Sequence, residues 1–319
     1  MTPDGIGSPL LWFGFLVFVL AMLAIDLGVF HRKAHEVRLK EAAAWSAVWV
    51  ALSAVFAIGV HAWFGPQRAL EFTTGYLIEK ALAVDNIFVF VVIFTTFGIP
   101  AIYQHRVLFW GILGALVMRA AFILAGGAFL ARFHWAIYVF GGILALTGVK
   151  LLLQRNREVH PERNPVVRAF QRLFPVTHQL EGERFTVKKN GRRYATPLLL
   201  ALVAVEVTDL IFAVDSIPAI FAVTRDPFIV FTSNIFAILG LRAMYFLLAG
   251  IIHRFVYLKV GLSFVLVFVG AKMLLVDVYK IPIGASLGII AAILAVAVLA
   301  SLLRPPGARP PAGAEEAAG

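Results

Sequence analysis

The side chains of this chain best equipped for chemistry are carboxylates set inside apolar runs, and they occur in two similar segments. Glu79, Asp85 and Asn86 lie in Glu79-Lys80-Ala81-Leu82-Ala83-Val84-Asp85-Asn86, while Glu206, Thr208, Asp209, Asp215 and Ser216 lie in the stretch that closes on Ile217-Pro218. A carboxylate at the centre of a membrane helix costs about 2.5–3.5 kcal/mol on insertion scales, so several of them require a compensating partner. The donors on offer are oxygens from Asp, Glu, Asn, Thr and Ser. With no cysteine, and with eight histidines expected in loops or near helix ends, the set suits a hard divalent cation better than zinc or copper. Asp26, in Ala24-Ile25-Asp26-Leu27, echoes Ala83-Val84-Asp85. The candidate metal ligands are therefore Asp26, Glu79, Asp85, Asn86, Glu206, Thr208, Asp209, Asp215 and Ser216.

Spacing limits how these groups act together. Glu206 and Asp209 are three apart and share a helix face, whereas Asp209 and Asp215, like Glu79 and Asp85, are six apart and diverge by about 120° on a regular helix. Pro218 removes a backbone donor opposite the Val214 carbonyl, so a kink is expected there that turns Asp215 inward and frees an oxygen. Other pairings remain open at this point: Glu79 beside Lys80, or an acid beside Arg119 or Arg242, also fits a buried structural ion pair. Arg119 and Arg242 are expected as partners of acids or interfacial anchors, Lys150 and Lys272 as snorkelling residues, and Asn234 as a helix-to-helix hydrogen bond or a ligand. The phenylalanines are expected to face lipid.

The elements that must position these residues are transmembrane helices. Hydrophobic residues make up 61% of the 319 and charged residues 14%, a balance that leaves no polar surface for a soluble domain. About 20 apolar residues cross the hydrocarbon core. Nine spans are predicted, at 10–30, 45–64, 75–97, 106–129, 135–153, 197–223, 228–249, 256–276 and 284–303. The first is read as a span rather than a signal peptide, because Arg32 and Lys33 follow it and no positive residue precedes it. The fold class is an all-α polytopic membrane bundle, with residues 1–303 as one membrane transporter domain and 304–319 as a disordered cytoplasmic tail.

The net charge of +10 resides in short connections and not on one amphipathic face, which argues against nucleic acid. Lys and Arg gather in alternate loops, above all in 154–196, so the positive-inside rule puts that loop and the C-terminus in the cytoplasm and the N-terminus outside. The basic loop is expected to meet anionic lipid or protein partners at the cytoplasmic membrane.

Three landmarks recur in order: Ala83-Val84-Asp85 with Ala213-Val214-Asp215, Arg119-Ala120 with Arg242-Ala243, and Gly148-Val149-Lys150 with Gly270-Ala271-Lys272. Two repeat units follow, about 75–153 and 197–276. Each holds three helices, an odd number, so the second enters the membrane from the opposite side, as in inverted-repeat transporters with a midplane site. Glu79 then corresponds to Asp209 and Asp85 to Asp215, and Glu206 and Pro218 belong to the second unit alone.

At these residues, over about 5–303, the chain resembles the TerC family of integral membrane proteins, named for tellurium resistance and grouped with LysE-type exporters. The resemblance implies a multi-helix bundle with two inverted three-helix units, export of manganese from the cytoplasm, and Asp26, Glu79, Asp85, Glu206, Asp209 and Asp215 as acids of the ion path. The expected function is a secondary transporter that exports Mn2+ by alternating access in exchange for protons. The alternative is a tellurium-resistance or stress scaffold whose acids are structural. An enzyme is not expected: there is no His/Glu zinc pattern, and Ser216 has no evident histidine base.

Overall fold

The computed structural model describes residues 5–30, 39–133, 135–153, 164–177, 179–189, 191–249, 257–279 and 281–303. Its helices are α1 (Pro9–Phe30), α2 (Leu39–Phe64), α3 (Pro66–Thr96), α4 (Ala101–Arg132), α5 (Ala136–Leu153), α6 (Pro165–Leu173), α7 (Pro197–Phe221), α8 (Pro227–Leu239), α9 (Leu241–Leu248), α10 (Leu258–Leu274) and α11 (Ile283–Leu303). Among the described residues one antiparallel hairpin pairs β1 (Thr186–Lys189) with β2 (Arg192–Ala195). Helices dominate because an apolar solvent offers no partner to a backbone amide, so every peptide group must be satisfied within its own segment. Proline marks the starts. It sits in the first turn of α3, α6, α7 and α8, where its missing N–H is one the helix leaves unpaired anyway. Asp226 caps α8 by accepting from the Phe228 amide at 2.9 Å.

A helix occupies each expected span. Among the described residues, length and composition alone mark six crossings: α2, α4, α5, α7, Pro227–Leu248 and α11. α3 falls outside that set because it carries Arg68, Glu71, Glu79, Lys80 and Asp85, although its 31 residues reach about 46 Å at 1.5 Å each. The expected span 228–249 is divided at Gly240 into α8 and α9. Side chains at Asp26 and Asp85, and the tail 304–319, lie outside the described residues.

The α8–α9 span is the centre of the molecule, with its whole apolar window buried. α3 and α4 pack along α8, α4 also packs along α7, and α5 lies against α10. Small residues permit the last approach: a Cβ on Gly270 would come within 2.6 Å of the Ala145 nitrogen and 2.7 Å of the Gly141 carbonyl, and one on Gly148 within 2.7 Å of the Ser263 carbonyl.

The phenylalanines correct their expected placement. Phe15, Phe72, Phe228, Phe231 and Phe236 are buried, and with Phe56 they form a ring cluster with centroids 4.9–6.0 Å apart. Their flat faces fill wide gaps between helices at little rotamer cost, and dispersion there exceeds what mobile lipid tails supply. The 154–196 loop is also more than a loop, since α6 and the hairpin fold within it.

Gly270→Val is expected to force α5 from α10 and cost about 1–3 kcal/mol, as overpacking does when backbone is the obstacle. Thermal unfolding in detergent checks this, with Gly142→Ala as control because nothing lies within 4 Å of a Cβ there.

Candidate functional site in the bundle core

The core site is built around a cation. Arg119 of α4 is 1% exposed, and its guanidinium is answered from two helices. Nε and Nη2 donate to Asp209 Oδ2 and Oδ1 of α7 at 3.1 and 2.8 Å, a bidentate fork. Nη1 donates to Glu79 Oε1 of α3 and, at 3.4 Å, to Ser216 Oγ of α7. Glu79 and Asp209 are themselves 1% and 3% exposed and stand near the middle of their helices. The arrangement thus ties α3, α4 and α7 together at mid-span.

Glycines let the acids come so close. A Cβ on Gly114 of α4 would overlap the Glu206 carboxyl, so that side chain lies flat on the α4 backbone. One helix turn earlier, Gly111 receives Val205 in the same way. Several oxygens have no donor among the described residues: Glu79 Oε2, Asn86 Oδ1 and Glu206 Oε2 are buried and unpartnered, as are both amide atoms of Asn234. Ser233 meets Gly75 of α3, and the Ala237 carbonyl accepts from Lys80 Nζ at 3.3 Å. Asn234 is thereby bracketed along the stretch of α3 that holds Glu79. Buried polar atoms are nearly always partnered in folded proteins, so these positions call for an explanation.

The candidate ligands do not all converge. Asp215 is half-buried and turned to α5, where Thr147 Oγ1 donates to it at 3.3 Å. Thr208 spends its hydroxyl on the Ala204 carbonyl at 2.6 Å, a bond within its own helix. Lys80, a candidate partner for Glu79, points instead to α8, because consecutive helical residues diverge. α7 is continuous through Pro218, which sits in its last turn. Among the described residues no group of three or more His, Asp and Glu side chains is placed to hold a metal ion. Glu79 and Asp209 both face Arg119 instead.

A second network escaped the sequence reading. At the opposite end of the bundle from the hairpin, Glu71 accepts from Arg68 and from Thr224, each at 2.7 Å, and Asp226 accepts from the Ile6 amide at 2.8 Å. Glu71 and Asp226 are both buried. The signals were present as an Arg-x-x-Glu spacing at the start of α3 and an Asp-Pro cap on α8.

A helical bundle with an ion cluster sealed at mid-span defines an integral multi-pass membrane protein. Residues 64–307 match the family model described as "Integral membrane protein TerC family", and the chain belongs to that family. It is 63% identical over 303 residues to "Uncharacterized membrane protein STKORF319" of Myxococcus xanthus, covering 95% of each chain. It is 53% identical over 299 residues to "Putative membrane-bound redox modulator Alx" of Escherichia coli (strain K12), covering 91% of this chain and 93% of that protein. A Rickettsia felis membrane protein is 41% identical over 293 residues, 92% of this chain and 97% of its own. No solved structure matches the chain.

Arg119→Leu leaves two buried carboxylates facing each other and is expected to cost about 3–5 kcal/mol. Adding Glu79→Gln and Asp209→Asn removes the orphaned charge and is expected to recover most of that loss. The melting temperatures of the single and triple variants in detergent test the pair of expectations.

Proposed function

We propose that the chain is a secondary transporter that exports Mn2+ across the cytoplasmic membrane in exchange for protons, and that the Glu79–Arg119–Asp209 cluster is its resting, ion-free centre. The observation that carries this reading is a buried charged cluster at mid-span with unpartnered carboxylate and amide oxygens beside it. A purely structural ion pair needs no spare acceptors. A transport site does, because its oxygens must face an ion in one state and a proton or an internal cation in another.

Donor chemistry sets the ion class, and the family resemblance sets the choice within it. Oxygen-only donors suit Mn2+, Mg2+ and Ca2+ alike, and a cluster of acids repels an oxyanion such as tellurite. Mn2+ is chosen because the resemblance to the TerC family implies manganese export. The redox wording in the name of the Escherichia coli relative fits this chain only indirectly. Without cysteine it has no thiol to exchange, whereas Mn2+ is itself a redox ion.

The working cycle follows from charge. An arriving divalent cation offers Glu79 and Asp209 more charge than one guanidinium, and Glu206, Asn86 and Ser216 stand on the same two helices to complete its shell. Asp215, turned to Thr147, receives the ion or a proton at the next step. Exchange between α3 and α7 is what an inverted repeat provides, and reciprocal packing supports that repeat. Gly148 meets Ser263 and Val267, Gly270 meets Gly141 and Ala145, and each residue differs from its counterpart by the same 122 positions. In the same way α8 packs on α3 as α4 packs on α7. The basic end then faces the cytoplasm by the positive-inside rule.

Purified protein in proteoliposomes is expected to move Mn2+ against a pH gradient. Asp209→Asn and Asp215→Asn are each expected to lower the flux at least tenfold while still inserting. Flux at the normal rate in both variants overturns the reading.

A further inference from the structure

We propose that α6 is an interfacial anchor that seats on the anionic headgroups of the membrane around the bundle. Its sequence, Pro-Val-Val-Arg-Ala-Phe-Gln-Arg-Leu, places Val166, Ala169, Phe170 and Leu173 at i, i+3, i+4 and i+7, one apolar stripe, with Arg168 and Arg172 outside it. A soluble surface would bury that stripe against protein. Here only its edge is buried: Val167 is 0% exposed and packs with Leu198 and Ala201 at the start of α7, while Val166, Leu173 and Phe174 are 49%, 77% and 52% exposed.

The stripe is held rigidly in this attitude. Asn164 caps α6 by accepting from the Val166 amide at 2.9 Å, and Phe170 stacks on Phe174 at 4.8 Å. After the helix, the Pro175 carbonyl accepts from the Ala195 amide at 2.8 Å, and the Thr177 amide donates to the Ala195 carbonyl at 2.9 Å, which fastens its end to the hairpin. Thr196, fully buried, donates from its hydroxyl to the Arg184 carbonyl at 2.8 Å and so seats the hairpin at the foot of α7. α6 is therefore fixed at the level where α7 leaves the membrane.

Charge selects the occupant. Arg106 and Lys189 are engaged by Glu183 and Glu181, each within 3.0 Å, but Arg168, Arg172, Arg184, Arg192 and Arg193 are exposed at the same end. A membrane surface with anionic lipid meets both demands at once, taking the apolar stripe at the acyl boundary and the guanidinium groups at the phosphates. That surface is always present beside a membrane bundle, and transport plays no part in the inference.

The chain has no cysteine, so Leu173→Cys introduces its only thiol. The full-length variant, labelled there with a solvatochromic dye, is reconstituted in nanodiscs of phosphatidylcholine alone or with phosphatidylglycerol, and Lys188→Cys serves as the aqueous control. The Leu173 label is expected to emit to the blue of the control and to be at least threefold less quenched by iodide. The protection should increase with phosphatidylglycerol and fall when Arg168→Gln and Arg172→Gln are added. Quenching equal to the control overturns the proposal. So does protection that ignores both lipid charge and the arginine variants, which indicates cover by protein.

Discussion

A guanidinium out of reach of water dominates the design of this bundle. Stripping an ion of its hydration costs several kcal/mol even after relaxation, and only well-placed opposite charge offsets it. Arg119 meets that demand with a bidentate fork to Asp209 and a further bond to Glu79, geometry that a lysine ammonium does not reproduce. Because the three residues belong to three helices, the arginine fixes the relative height and rotation of α3, α4 and α7. Lipid exerts little force of that kind, since its tails are as apolar as the helix faces. Glycine at Gly111 and Gly114 then lets α4 lie close enough to α7 for the fork to close.

Much of this was legible in the sequence, and the boundary of legibility has a physical reason. The multi-pass helical bundle was readable because a bilayer demands about 20 apolar residues per crossing, and six of the nine expected spans meet that measure among the described residues. The acids were readable because charge in such a run is costly enough to need a function or a partner. Which acid takes which partner was not readable. Glu79 has Lys80 beside it in sequence and Arg119 opposite it in space, and only the rotation of α3 against α4 decides between them. Phenylalanine placement failed for a related reason: in a membrane both the lipid face and the packed face are apolar, so hydropathy does not distinguish them. The α8–α9 span is apolar enough to count as a crossing like its lipid-facing neighbours, although its whole window is buried.

Polar residues inside an apolar span are the better guide to the core. Thr232, Ser233 and Asn234 on α8 are fully buried, and in hindsight three consecutive polar residues in an apolar span mark the helix that never meets lipid. The buried acids at the other end follow ordinary soluble rules. Asp226 is a helix cap and Glu71 an i,i+3 partner of Arg68, so that network reads as a clamp at the α7–α8 turn and not as part of an ion path.

A tethered arginine in the proposed ion path is also a thermodynamic statement. The cation must displace a group that is covalently present at high effective concentration, so occupancy depends on the difference between two charge-assisted interactions and not on the strength of either. A divalent ion has the advantage in charge, and the guanidinium has it in preorganisation. In the proposed cycle such a balance would keep two buried carboxylates from facing each other unpaired when the ion leaves. The inequality of the two segments would serve the same end in that cycle. Glu79 and Asp209 share the internal cation, whereas Asp215 accepts a hydroxyl from Thr147 and lies within the field of Lys150, with no bidentate fork to break. An ion moving from the first pair toward Asp215 would allow Arg119 to re-form its fork behind it, which gives the path a direction without requiring a large rearrangement of the helices.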